Sequence, residues 1–143
     1  MKEKEECYKA EKTFKADSEK LHQVQEFIED TLQKYGCSAK IMMQINLVME
    51  EVFMNIVHYA YPDSEGTCTV MVDFDGEKEV IITVEDTGIP FNPLEIDSPD
   101  ITLPAEKREI GGLGIWITKQ MMDKVEYQYE EGKNLLKMMK IIR

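Results

Sequence analysis

Glu51 and Asn55 stand four residues apart on a helix with helical apolar spacing, so carboxylate and amide project from one face. A carboxylate suits proton abstraction, and an amide oxygen suits a hard metal ion. Downstream, Asp86-Thr87-Gly88 ends an apolar strand and Gly111-Gly112-Leu113-Gly114 opens a helix. Glycines at a helix start can form a nest of N–H groups for a phosphate-sized anion. A base, a cation ligand and an anion nest in one small chain point to nucleotide chemistry.

Each motif also has a plainer reading. Glu51 can lie on the solvated side of its helix, as its neighbour Glu50 does, although Val48, Glu51, Asn55 and His58 form a stripe bordering Val52. Asn55 fits that reading less well. Asparagine is a poor helix former, and one flanked by Met54, Ile56 and Val57 implies a buried or ligand-facing amide. His58 reads as a packing or hydrogen-bonding residue. Asp86 and Gly88 are ordinary turn residues. They equally suit a carboxylate that accepts an exocyclic amine, with Gly88 letting a flat base approach the backbone. The glycine run can be a hinge. It lacks the Lys-Ser/Thr of a Walker A loop, and it lacks the third glycine and leading strand of a dinucleotide fingerprint.

The elements that must position these residues follow from periodicity. Tyr8, Ala10, Lys12, Phe14 and Ala16 alternate as a strand. Asp17 or Ser18 caps a helix carrying Leu21, Val24, Phe27, Ile28, Leu32 and Tyr35, closed by Gly36. Ser38 caps a second helix with Ile41, Ile45, Val48, Met49, Val52, Phe53, Ile56 and Val57 apolar, fading at Ala60-Tyr61-Pro62. Cys68, Val70, Val72 and Phe74 alternate as a strand, Asp75-Gly76 makes a hairpin turn, and residues 80–84 read as a more deeply buried strand. From Thr87 to Ile110 neither period persists, and four of the five prolines fall there, which predicts a lid over roughly 87–111. A helix from Gly112 to Asp123, a strand with Val125, Tyr127 and Tyr129, a Glu131-Gly132 turn and a strand from Leu135 to Ile142 complete the chain. The order is β-α-α-β-β-lid-α-β-β. It predicts an α+β, two-layer sandwich with helices on one face of a mostly antiparallel sheet, in one domain over 1–143.

Net charge is −11 and no basic cluster is visible, so direct nucleic-acid binding is not expected. Acidity does not exclude ATP, whose phosphates can be held by backbone N–H groups and a cation. No apolar run approaches the ~20 residues of a membrane span, and the polar start is no signal peptide, so a cytoplasmic protein is expected. Cys7, Cys37 and Cys68 have neither disulfide-framework nor zinc spacing. Ten methionines serve either core filling or a partner surface.

The ordered set of motifs resembles the N, G1 and G2 boxes of the GHKL ATPase superfamily, and within it the anti-sigma-factor serine kinases. The stretches that carry the likeness are Glu51-Val52-Phe53-Met54-Asn55-Ile56-Val57-His58-Tyr59-Ala60-Tyr61, Asp86-Thr87-Gly88-Ile89-Pro90-Phe91-Asn92-Pro93 and Gly112-Leu113-Gly114-Ile115. The resemblance implies the Bergerat sandwich, with ATP and Mg²⁺ as cofactors. By the same likeness, Asn55 would hold Mg²⁺ on the phosphates and Glu51 would be general base toward a protein serine or water. Asp86 would take the adenine amine, and Gly88 would make room for the base. Gly112, Leu113 and Gly114 would form the phosphate turn, and Arg108, or else Lys107, would be the lid cation. Implied partners are a small STAS-type antagonist of the anti-sigma factor and a sigma factor or similar regulator, with homodimerisation. Two departures stand out: Pro90 replaces a second glycine, and Gly132-Lys133-Asn134 replaces a Gly-Thr or Gly-Ser whose hydroxyl would touch phosphate. Two alternatives carry other functions. One is a nucleotide-dependent sequestering module without kinase activity. The other is a detached histidine-kinase catalytic domain, for which His22 lacks the long helical hairpin a phosphoacceptor requires.

Overall fold

The computed structural model describes residues 8–95 and 112–142. Five strands and three α-helices follow in the expected order: β1 (Tyr8–Lys15), α1 (Leu21–Lys34), α2 (Ala39–Tyr59), β2 (Thr67–Phe74), β3 (Glu79–Asp86), α3 (Gly112–Met121), β4 (Lys124–Glu130) and β5 (Lys133–Ile141). The sheet is antiparallel throughout, in the order β1-β2-β3-β5-β4. This is the predicted α+β sandwich.

Local chemistry sets the helix boundaries. Ser38 caps α2, its Oγ accepting the Ile41 N–H at 3.2 Å, and Gly36 supplies the positive φ of 78° that lets the chain turn out of α1. Asp17 caps a short 3₁₀ turn, Ser18–Lys20, that leads into α1, so it does not cap α1 itself. The core lies between sheet and helices. Val70, Val72, Phe74, Val80, Ile82, Val84 and Met138 meet Val24, Ile28 and Leu32 of α1 and Ile45, Met49, Phe53 and Ile56 of α2. Each fully buried aliphatic or aromatic side chain contributes roughly 1.5–3 kcal/mol.

Three expectations are corrected. The β3 strand is buried on alternate residues only, because Ile81 and Thr83 face the helix-free side of the sheet. The β2–β3 connection is longer than a two-residue turn: it runs over residues 75–78. There Asp75 Oδ1 accepts the N–H groups of Glu77, Lys78 and Glu79 at 2.8, 2.9 and 3.0 Å. The last strand begins at Lys133, which draws Asn134 into the sheet opposite Asp86. Within the predicted lid, residues 87–95 hold only a 3₁₀ turn at Pro93–Glu95. Residues 96–111, with Lys107, Arg108 and Gly111, lie outside the described residues.

Methionine usage resolves toward the core. Met49, Met122 and Met138 are buried and Met42, Met54 and Met121 pack against them, while Met43 is 66% exposed. Among the described residues, no helix is long and apolar enough to cross a membrane.

Candidate functional site

A pocket of about 60 Å³ opens between α2, α3 and the ends of the central strands. Helix α2 contributes Val52, Asn55, Ile56, Tyr59 and Ala60; β3 contributes Val84 and Asp86; Ile89, Phe91 and Pro93 follow from the next segment. Ile115 and Thr118 of α3, Tyr127 of β4, and Asn134 and Leu136 of β5 close it. The walls are largely apolar, with a few polar groups converging from separate elements.

Asn55 is half-buried and lines this cavity. Its amide makes no hydrogen bond with another described residue, so its oxygen is uncommitted. Among the described residues no three or more His, Cys, Asp or Glu side chains gather as a metal cage. A single amide oxygen nevertheless fits Mg²⁺, which keeps several waters and takes its other ligands from substrate phosphates. One turn earlier, Glu51 is half-buried and lies against the start of α3. A Cβ built on Gly114 would come within 2.8 Å of Glu51 Oε1, so this glycine lets the helix start meet the carboxylate. Burial, reinforced by the neighbouring Glu50, raises the Glu51 carboxyl above its ordinary value. Gly112 opens α3, with Leu113 next to it. His58 is exposed and packs edge-to-face on Tyr59, with ring centroids 6.0 Å apart. Of the α2 stripe, Asn55 alone lines the cavity; Glu51 lies beside it against Gly114 of α3, and His58 lies outside.

Asp86 is 7% exposed at the end of β3. Its Oδ1 accepts the Gly88 N–H at 2.8 Å and the Asn134 Nδ2–H at 2.9 Å. Burial raises the Asp86 carboxyl, the two hydrogen bonds pull it back, and Glu85 adds a smaller upward push. Cys68 sits opposite Asp86 on β2. Burial, with Asp86 and Glu85 adding to it, pushes the Cys68 thiol up to about 12, so this thiol is inert at neutral pH.

Gly88 answers a contact with helix α2. A Cβ there would stand 2.3 Å from the Ala60 carbonyl oxygen, which also accepts the Ile89 N–H at 2.9 Å. Tyr61 fastens the same segment, its hydroxyl accepting the Thr87 N–H at 2.9 Å and donating to the Thr67 carbonyl at 2.5 Å. The segment carrying Asp86 is thus tied to the helix carrying Asn55.

Asn134, a departure from the family's Gly-Thr or Gly-Ser pattern, is a hydrogen-bonding hub. It is 6% exposed. Its Oδ1 accepts the Phe91 N–H at 3.1 Å and the Tyr127 hydroxyl, while Nδ2 donates to Asp86 and to the Ile89 carbonyl at 2.9 Å. The signal available in the sequence was the one that flagged Asn55: asparagine is depleted in strands, so one inside a strand has a polar task. The hub sits beside Asp86, so the missing hydroxyl at this position concerns the Asp86 end of the cavity.

Residues 14–140 match the family of the histidine kinase-like ATPase domain. The chain belongs to that family. Among curated proteins it is similar to the serine-protein kinase RsbW of Bacillus mycoides, 28% identical over 107 residues, which are 72% of this chain and 66% of that protein. A serine-protein kinase RsbW of Bacillus cereus is 25% identical over 95 residues, covering 64% of this chain and 59% of that protein. The matches thus span about three-fifths to two-thirds of those relatives' length. Family membership and these kinases imply ATP as the nucleotide bound.

Proposed function

We propose that this protein is a cytoplasmic, ATP-dependent regulator that phosphorylates a serine on a small STAS-type antagonist protein and holds a sigma factor or similar partner. The observation that carries the reading is the convergence of an uncommitted Asn55 amide and a buried Asp86 carboxylate on one apolar-walled cavity, with Glu51 against the glycine start of α3. The likeness to serine-protein kinases supports the choice of acceptor.

In this reading Asp86 takes the base, and the apolar walls stack on it and exclude water. Backbone N–H groups at the start of α3, from Gly112 to Gly114, face the phosphates. Mg²⁺, held through the Asn55 oxygen, supplies charge neutralisation at the phosphates. Glu51 takes the proton of the serine hydroxyl, and its raised carboxyl makes it a better base than a solvated glutamate. Phosphoryl transfer rests mainly on positioning and electrostatics, so few side chains suffice.

Calorimetric titration with Mg-ATP and transfer of labelled phosphate to the antagonist test the reading together. Asn55→Ala is expected to weaken Mg-dependent ATP binding by at least about tenfold. Glu51→Gln is expected to keep binding and lower transfer by about 10²–10⁴-fold. Unaltered ATP affinity in Asn55→Ala removes the nucleotide site, and unaltered transfer in Glu51→Gln removes the base.

A further inference from the structure

We infer that Asn134 is a positioning residue for base recognition, making the Asp86 end of the cavity select a purine with an exocyclic amine over one with a carbonyl at that edge. The inference rests on the nucleotide-binding reading above and deepens it.

The orientation of the Asn134 amide is fixed by chemistry. The Phe91 N–H can only donate, so the atom 3.1 Å from it is the amide oxygen, to which the Tyr127 hydroxyl also donates. Nδ2 therefore faces Asp86 Oδ1 at 2.9 Å, the Ile89 carbonyl at 2.9 Å and the Gly88 carbonyl at 3.4 Å. An amide nitrogen only donates, and the Gly88 N–H donates to the same Oδ1 at 2.8 Å. Two donors commit Oδ1 as an acceptor. Oδ2 takes no hydrogen bond from the described residues and is left for a cavity ligand.

With Oδ1 taken by two donors, Oδ2 presents an acceptor that calls for a donor from the base. The amine of adenine provides one, whereas the carbonyl of hypoxanthine or guanine would set lone pair against lone pair. Without Asn134, burial shifts Asp86 further toward the protonated acid, which can donate to a carbonyl and would weaken the preference. The ionisable neighbours do not replace it. Glu85 is adjacent and bound to Lys133 at 3.4 Å, Cys68 faces Asp86 across β2 as a neutral thiol, and Tyr127 of β4 bonds Asn134. The cavity residues of α2 and α3 carry no charge. Asn134 also grips Gly88, Ile89 and Phe91 through their backbones, so one side chain fixes both the carboxylate and the wall beside it.

Calorimetric titration of the wild type, Asn134→Ala and Asn134→Asp with Mg-ATP and Mg-ITP, at two pH values, tests this. The wild type is expected to prefer ATP by about 100-fold or more. Asn134→Ala is expected to reduce that preference by about tenfold, and its ATP affinity should fall off at a higher pH on acidification than in the wild type. Asn134→Asp keeps an oxygen for Phe91 and replaces the donor with a second acid. It should lose the preference equally, and it carries the test if circular dichroism shows that the alanine variant does not fold. An unchanged ATP-to-ITP ratio in either folded variant overturns the role of Asn134, as does a wild type that binds ITP as tightly as ATP. A wild type that binds neither nucleotide overturns the nucleotide reading itself, which separates the two failures.

Discussion

Gly88 and Gly132 show how differently two glycines can matter. At Gly88 a methyl group would overlap the Ala60 carbonyl, Cβ to oxygen 2.3 Å, with helix backbone that cannot step aside. Gly88→Ala is therefore expected to destabilise the fold by about 3 kcal/mol and to weaken ATP binding, since Asp86 rides on the same turn. Gly132, at φ +80° with open space around it, should lose only about 1 kcal/mol on the same change, through the left-handed backbone alone, and leave ATP affinity unchanged. Urea unfolding with calorimetry on both variants checks the contrast, and equal losses would contradict it. The sequence named Gly88 but not its reason, because the atom it accommodates belongs to a helix end 28 residues earlier, Ala60. Asn134 was less legible still: its partners come from β3, β4 and the segment after β3, and no local pattern reports them.

At the scale of elements, what was legible was what is local. Ser38 and Gly36 mark the helix ends through bonds within a few residues, and alternation in β2 gives its buried face directly. The β3 strand misled because Ile81, on the helix-free face, is as apolar as its buried neighbours, so composition hid the alternation. The join between α2 and β3 was not legible either. Tyr61 reads as the tail of a fading helix, yet its hydroxyl clasps Thr67 at the start of β2 and Thr87 after β3. Tyr61→Phe is expected to lower stability by about 1 kcal/mol and ATP affinity severalfold, by letting the Asp86 segment drift from α2. A variant that loses stability but binds ATP as the wild type does would show that this clasp is not coupled to the site.

Across the whole molecule, the net charge of −11 and the two raised carboxyls act in the same direction. Glu51 and Asp86 hold protons more tightly folded than unfolded. Their contribution favours the folded state fully below the unfolded pKa of about 4 and is lost as pH rises through the raised folded values. Self-repulsion among excess carboxylates likewise eases on acidification and is screened by salt. Scanning calorimetry is expected to give a higher melting temperature at about pH 5 than at about pH 7, and at about half-molar salt than at low salt. A melting temperature that falls on mild acidification would contradict this.

Asp86 and Asn134 face each other across the two middle strands although 48 residues separate them along the chain. Pairings of such long separation close late, because loop entropy must be overcome before they stabilise anything. During synthesis, a chain made only as far as β4 already carries Asp86, Asn55 and Glu51, yet it lacks the partner that orients the first of them. A nucleotide that needs Asp86 oriented by Asn134 would add its stabilisation, RT ln(1 + [L]/Kd), only to molecules in which β5 has docked against β3.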